Sequence, residues 1–327
     1  MSEPVKIRET DVVIAGSGPG GATMARELSH RGKKVVICEA GRYHKRLGAT
    51  PYILMMMDTL GFTFSKEGTW VLRPKTVGGA STIYCGTAWK PPSWFKTKYG
   101  VDLEAEVEEL YREIPIQTMP DRLIGPAARK IMQAARDLGF DWKPLDKWIR
   151  PEKCVPNCGK CMLGCTLGAK WTAREYVEEA LRNGAALLTG TKVDRVLTEN
   201  GKAVGVRAKG PQGWVDIRAE TVILSAGGQG TPPILQRSGI YDAGKGFFID
   251  PLWFVMAPTP TQGSLYDITM TAGVNLSEDG IVMTDLMPPI MVLMALLGLS
   301  GPRSWADLPR VMQARRMHSI MIKVRDD

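Results

Sequence analysis

Apolar and polar positions change period several times in the first forty residues. A short apolar run, Val12–Ala15, reads as a buried strand. A glycine-rich turn follows, and then Ala22, Ala25 and Leu28 recur at helical spacing on one face. That pattern ends near Gly32, and a second apolar run at Val35–Cys38 predicts another strand. Further along, "TWVLRP" predicts a strand ahead of a glycine-rich stretch. "LLTGTKVDRVLTENGKAVGVRA" (Leu187–Ala208) alternates as a β-meander with a hairpin turn at Asn200-Gly201. "ETVILSAGGQGTPPILQRSGI" (Glu220–Ile240) reads as strand, glycine turn and helix start. Two Met-rich runs, Pro51–Phe62 and Leu286–Leu299, read first as core packing and second as the lining of an apolar substrate site.

Composition narrows the picture. The 327 residues suffice for one large domain or two ordinary ones, and 44% hydrophobic with 23% charged is ordinary for a globular protein. The net charge of +8 fits a solvated basic surface, or a basic face toward an anionic cofactor, partner or membrane. No basic stripe is interleaved with aromatics, which argues against nucleic acid. "MSEPVKIRET" has no apolar core, so it does not read as a secretory signal. Leu286–Leu299 contains two prolines and is shorter than the ~20 residues of a spanning helix, so no transmembrane segment is expected. A cytoplasmic protein, with peripheral membrane attachment as an option, is the expectation. There, clustered thiols more often bind metal or do redox chemistry than form disulfides.

The first turn carries specific chemistry. Gly16, Gly18 and Gly21 fit G-x-G-x-x-G, with Pro19 and Gly20 between them. Gly16 permits a tight turn, Gly18 lets a pyrophosphate approach the backbone, and Gly21 lets helix and strand pack closely. The helix start offers unpaired N–H groups to phosphate. Glu39, closing the second strand, can accept hydrogen bonds from ribose hydroxyls and disfavours a 2′-phosphate. Strand, turn, helix, strand and acid together predict a dinucleotide-binding fold without separating FAD from NAD. His30 falls on the polar side of the helix and reads as solvated.

"PKTVGGASTIYCGTAWKPP" (Pro74–Pro92) and Glu220–Ile240 add a resemblance. With the first motif, the chain resembles the glucose–methanol–choline (GMC) oxidoreductases, which depend on FAD. Gly78, Gly79, Ser81 and Ile83 fit the first signature of that family. Gly227, Thr231, Pro232, Ile234, Leu235, Ser238, Gly239 and Ile240 fit the second. Tyr84, Gly228 and Tyr241 depart from the signatures. The resemblance implies FAD held by Gly16, Gly18, Pro19, Gly20, Gly21, Glu39, Gly78, Gly79, Ser81, Ala226 and Gly227, with the backbone at Val193 meeting the adenine. It continues more loosely through Met270–Leu286. It implies an α/β fold: a Rossmann-like FAD domain in two parts (1–92 and 175–245), an insertion (93–174) and a partial α+β substrate domain (246–327).

The insertion holds "CVPNCGKCMLGC", with Cys154, Cys158, Cys161 and Cys165 spaced C-x3-C-x2-C-x3-C. Prolines and glycines let such a segment turn tightly and aim several thiols inward. The spacing lies nearer the ferredoxin run than the separated pairs of structural zinc. Three readings remain: a cluster such as [4Fe–4S], a zinc site, or a metal-free loop of thiols. Cys38 reads as buried filler. Cys85, in a signature loop, reads as packing or redox contact.

The family oxidises an alcohol by hydride transfer to flavin, and a C-terminal histidine takes the hydroxyl proton. The three histidines here are His30, His44 and His318, and none occupies that position. The expectation is an oxidoreductase acting on an alcohol, with an apolar one favoured. Electrons would leave the flavin singly, through an iron–sulfur cluster at the four cysteines, to a separate acceptor or partner subunit. The alternative is a catalytically incomplete flavoprotein fragment, or an electron-transfer subunit that requires a partner chain.

Overall fold

The computed structural model describes residues 5–61, 63–66, 69–246, 251–261, 263–289, 293, 309 and 313–325. In chain order the first elements are β1 (Val5–Ala15), α1 (Pro19–His30), β2 (Val35–Glu39), α2 (Thr50–Met56), α3 (Ser93–Tyr99) and α4 (Glu104–Glu113). β3 (Ile116–Thr118), α5 (Pro126–Asp137), β4 (Lys143–Pro144), β5 (Asp146–Trp148), α6 (Arg174–Arg182) and β6 (Ala186–Thr189) come next. Then follow β7 (Lys192–Glu199), β8 (Lys202–Gly210), β9 (Gly213–Leu224), α7 (Thr231–Arg237), β10 (Leu252–Pro258), β11 (Ala272–Leu276), β12 (Ile281–Asp285) and β13 (Met317–Val324).

The chain divides into two units. The first takes its described residues from Met1–Leu47, Pro51–Ile83 and Thr172–Phe247. Its sheet has the order β6-β2-β1-β9-β8-β7. β6, β2, β1 and β9 run parallel, with Val12 opposite Val35 and Ala15 opposite both Cys38 and Leu224. Val13 and Ile14 point to opposite faces, yet both are fully buried. This is why β1 reads as a continuous apolar run rather than an alternation. Each such side chain contributes about 1.5–3 kcal/mol of burial. β8 closes the sheet antiparallel to β9 and β7. The β7–β8 turn is Asn200-Gly201 with both residues left-handed, as the hairpin signal predicts. α1 begins on Pro19, a residue suited to a first helical turn, and buries Gly21, Ala22 and Ala25. Arg26 of α1 lies over the Tyr176 ring of α6 at 4.3 Å.

One predicted strand is absent. Trp70 and Pro74 of "TWVLRP" make only isolated bridges, to Phe64 and Met57. Trp70 instead donates its indole N–H to the Gly61 carbonyl at 2.6 Å, and proline cannot donate to a ladder. Of the first Met-rich run, Ile53 and Met56 are buried while Tyr52 and Met55 are exposed. Phe62 lies outside the described residues, as does most of Leu286–Leu299. Leu286, Met287 and Leu293 are buried.

The second unit takes its described residues from Gly48–Thr50, Tyr84–Trp171 and Phe248–Asp327. Residues 93–171 thus cluster with the C-terminal stretch rather than standing alone as an insertion, and 84–92 joins them. An antiparallel sheet of order β10-β13-β12-β11-β4 forms its frame, and β3 pairs with β5. α5 lays Ile131 and Ala135 against Trp142, Ala272 and Val274. A second core gathers Met119, Leu123, Ile149, Cys161 and Ile268. The molecule is an α/β protein with a Rossmann-like unit and an α+β unit. Among the described residues no helix is long and apolar enough to cross a membrane.

Candidate cofactor site

The first unit contains a cavity of about 720 Å³ at the carboxyl ends of β1, β2 and β9. Gly16, Gly18, Pro19, Gly20, Glu39, Gly79, Val193, Ala226 and Gly227 line it. Ligands of open parallel sheets bind at this edge, where the chain leaves the strands. The start of α1 faces the space, and Gly18 provides no side-chain cap to its free N–H groups. Those donors and the helix dipole suit an anion.

The motif glycines differ in what they must avoid. A side chain at Gly16 would stand 2.4 Å from the Ser225 carbonyl oxygen, and one at Gly21 would stand 2.0 Å from the Gly16 carbonyl oxygen. Both are demands of packing. Gly18 is different: its missing Cβ would meet nothing closer than the Gly79 Cα at 4.0 Å. The protein itself leaves that space open, on the wall of the cavity.

Glu39 is buried, at 6% exposure. One carboxylate oxygen accepts from the Ser17 N–H at 3.0 Å and the Ser17 hydroxyl at 2.6 Å; the other accepts from the Gly41 N–H at 2.7 Å. A carboxylate has about four acceptor sites, so capacity for a hydroxyl remains. Ser17 is not legible as functional in the sequence, because serine inside a G-x-G turn has no signature of its own. Arg73, Lys75, Lys192 and Arg237 also line the cavity. Asp58 pairs with Arg73 and Lys75, and Asp194 holds Arg237 at 3.0 Å. Asp58 and Asp194 balance most of this positive charge, so the wall is polar rather than strongly basic. It escapes sequence reasoning because its members are scattered along the chain.

Three residues expected at the cofactor sit behind the cavity wall. Gly21 packs helix on strand, as its place in the motif implies. Gly78 and Ser81 are turned toward α6. Ser81 donates to the Gly78 carbonyl at 2.6 Å and accepts from the Ala173 N–H at 2.9 Å, which uses its hydroxyl within the protein.

The cysteine segment does not fit a metal or an iron–sulfur cluster. Among the described residues no group of three or more His, Cys, Asp or Glu could hold a metal ion. Cys154, Cys158, Cys161 and Cys165 are all free. Cys161 is buried in the second core, with Cys154 and Cys158 packed on its edge. The sulfur of Cys165 accepts from the Lys170 N–H at 3.4 Å. The Cys154 thiol is pushed up to about 11, first by burial and then by the neighbouring thiols of Cys161, Cys158 and Cys165. Spacing permits convergence of four thiols but does not enforce it, and apolar packing takes Cys161 instead. Cys38 is buried filler as expected, its thiol pushed up to about 12, first by burial and then by Glu39. Cys85 is buried with Met270, Leu286 and Met321.

Two lysines, silent in the sequence, hold this unit together. Lys147 is fully buried and donates to the carbonyls of Cys85 at 2.6 Å and Thr269 at 2.8 Å. Lys170, at 4% exposure, donates to the carbonyls of Tyr84 at 2.6 Å and Cys161 at 2.8 Å. Lysine is almost never fully buried, so nothing in its local sequence announces this role. His30 is exposed and pairs with Glu179 at 2.9 Å. His318 lies on β13, across from Ala257 of β10.

Fold and cavity together define an α/β protein with a Rossmann-like unit and an open site at the carboxyl edge of its parallel strands. A family model described as GMC oxidoreductase matches residues 11–252. The chain belongs to that family. It is 29% identical over 72% of its length to an uncharacterized GMC-type oxidoreductase of Mycobacterium tuberculosis, covering 40% of that protein. It is 26% identical over 97% of its length to a long-chain-alcohol oxidase of Arabidopsis thaliana, covering 48% of it. A 2-methyl-1,2-propanediol dehydrogenase of Mycolicibacterium austroafricanum is 29% identical over 70% of this chain and 51% of its own. Among solved structures, pyridoxine 4-oxidase from Mesorbium loti superposes with a TM-score of 0.64 at 18% identity, over 96% of this chain and 71% of that one. The chain spans about half the length of the curated relatives it matches.

Proposed function

We propose that the cavity of the first unit holds the adenine-dinucleotide part of FAD, and that the protein is an oxidoreductase acting on CH–OH donors. The observation that carries this reading is the open space at Gly18, beside the uncapped start of α1 and across from Glu39. The α1 N–H groups and helix dipole would face the pyrophosphate, with Lys192 on the cavity wall. Glu39 would orient the ribose, itself held by Ser17 and Gly41. Val193 would border the adenine. Bound FAD supplies a two-electron acceptor for hydride from an alcohol carbon. The relatives named for alcohols support that donor class, with apolar alcohols favoured by the long-chain-alcohol oxidase. The reading includes no iron–sulfur relay, because the cysteines do not fit one.

None of His30, His44 and His318 lines the cavity, which supports a second reading in which this chain binds FAD without oxidising alcohols by itself. Anaerobic titration of the FAD-loaded protein separates the two. Bleaching of the flavin band by primary alcohols of increasing chain length is the expected result of the first reading. Flavin that binds, resists alcohols and is bleached only by dithionite is the expected result of the second. Failure to bind FAD at all rejects both.

A further inference from the structure

We propose that Arg174 is a positioning residue for the cofactor site: it fixes the Gly78–Gly79 loop against the phosphate-binding turn. The inference rests on the FAD reading above. Arg174 opens α6 and is buried. Its guanidinium donates from Nε to the Val77 carbonyl at 2.8 Å, from Nη1 to the His44 carbonyl at 2.9 Å and from Nη2 to the Thr76 hydroxyl at 3.0 Å. A planar guanidinium with donors in a fixed fork can hold three acceptors in one geometry, and an ammonium cannot.

Both segments it grips lead to the cavity. His44 follows the β2 exit at Glu39, while Thr76 and Val77 lead directly into Gly78 and Gly79. The aliphatic stem of Arg174 also explains Gly78, whose Cβ would stand 2.7 Å from the Arg174 Cγ. Gly78 also has a left-handed backbone, so both its conformation and the arginine stem call for glycine there. Ser81 adds a second tie, bridging the Gly78 carbonyl to the Ala173 N–H beside Arg174.

The loop so held meets the first motif backbone to backbone. The Gly78 N–H donates to the Ser17 carbonyl at 3.2 Å, and a Cβ on Gly79 would lie 2.8 Å from the Gly18 Cα. Ser17 is the residue whose hydroxyl and N–H both bind Glu39. A shift of the loop therefore moves the wall that faces the pyrophosphate and the turn that orients the ribose acid. Arg174 reaches neither the ligand nor the cavity surface. It acts through Val77, Gly78 and Ser17.

The test compares Arg174→Lys and Arg174→Met with wild type as apoproteins titrated with FAD. Flavin fluorescence quenching gives affinity, and thermal midpoints are read with and without FAD. The expected result is a loss of FAD affinity of about tenfold for Lys and about a hundredfold for Met. The stabilisation conferred by saturating FAD should shrink relative to each variant's own apoprotein. Altered visible circular dichroism of the bound flavin should accompany it. A purely structural arginine would lower the apo and FAD-bound midpoints together and leave affinity unchanged, which overturns the proposal. So does failure of both variants to fold, since the residue would then serve folding alone. If wild type itself binds no FAD, the cofactor reading fails first and the variants are not the cause.

Discussion

Gly18→Val is expected to yield a folded apoprotein that no longer retains flavin. The backbone at Gly18 is in the extended region that any residue adopts, and its missing Cβ points into space with the nearest atom 4.0 Å away. The fold therefore tolerates a side chain there, and the apo midpoint should stay within about 2 °C of wild type. The branched side chain occupies the volume the pyrophosphate needs, so FAD affinity should fall at least ~100-fold. Gly21→Ala provides the opposite control. Its Cβ would stand 2.0 Å from the Gly16 carbonyl oxygen, forcing α1 away from β1. Overpacking of that kind costs about 1–3 kcal/mol, read by urea unfolding of the apoprotein. A Gly18→Val protein with full flavin occupancy would place the cofactor elsewhere.

Two buried groups of the second unit should contribute opposite pH-dependent limbs to stability, one falling up to about pH 7 and one rising from about pH 8, each read as the difference between wild type and a variant. Asp285 is held by the Ala272 N–H at 2.6 Å, yet burial pushes its carboxyl up to about 7 against the ordinary 3.8, with Lys147 opposing and Asp267 adding to the rise. Burial pushes the Lys170 ammonium down to about 8 from 10.5, opposed by the thiols of Cys161, Cys85 and Cys165 and assisted by Lys147. The raised acid stabilises the fold fully below pH 3.8, and that contribution is lost as pH rises to 7. The lowered lysine works the other way. The unfolded chain holds its proton between pH 8 and 10.5 where the folded one does not, so the contribution of Lys170 to stability rises across that window. A tenfold change in proton affinity between the folded and unfolded chain is worth about 1.4 kcal/mol, so the limbs amount to about 4 and about 3 kcal/mol. Urea unfolding from pH 4 to 10 for wild type, Asp285→Asn and Lys170→Met isolates each limb by difference. Differences that stay flat across both windows would refute the assignment.

The nucleotide-binding half of this protein is legible in its sequence because its constraints are local. A fully buried parallel strand must be apolar throughout, which marks Val12–Ala15 and Val35–Cys38. A two-residue hairpin needs two left-handed residues, which marks Asn200-Gly201. The phosphate turn needs bare glycines at fixed offsets and an acid at the end of the next strand, which marks Gly16, Gly18 and Glu39. The remaining features depend on which distant residues pack together. "TWVLRP" makes only isolated bridges, and its Trp70 indole donates to the Gly61 carbonyl. Gly78 and Ser81 turn toward Arg174 and its neighbour Ala173, a contact across about ninety positions of chain that no local pattern encodes. Cys161 enters an apolar core with Cys154 and Cys158 at its edge, and among the described residues the thiols form no metal-holding group. Lys147 and Lys170 are buried against backbone carbonyls. Carbonyl acceptors are common to every residue, so they leave no trace in the sequence that supplies them.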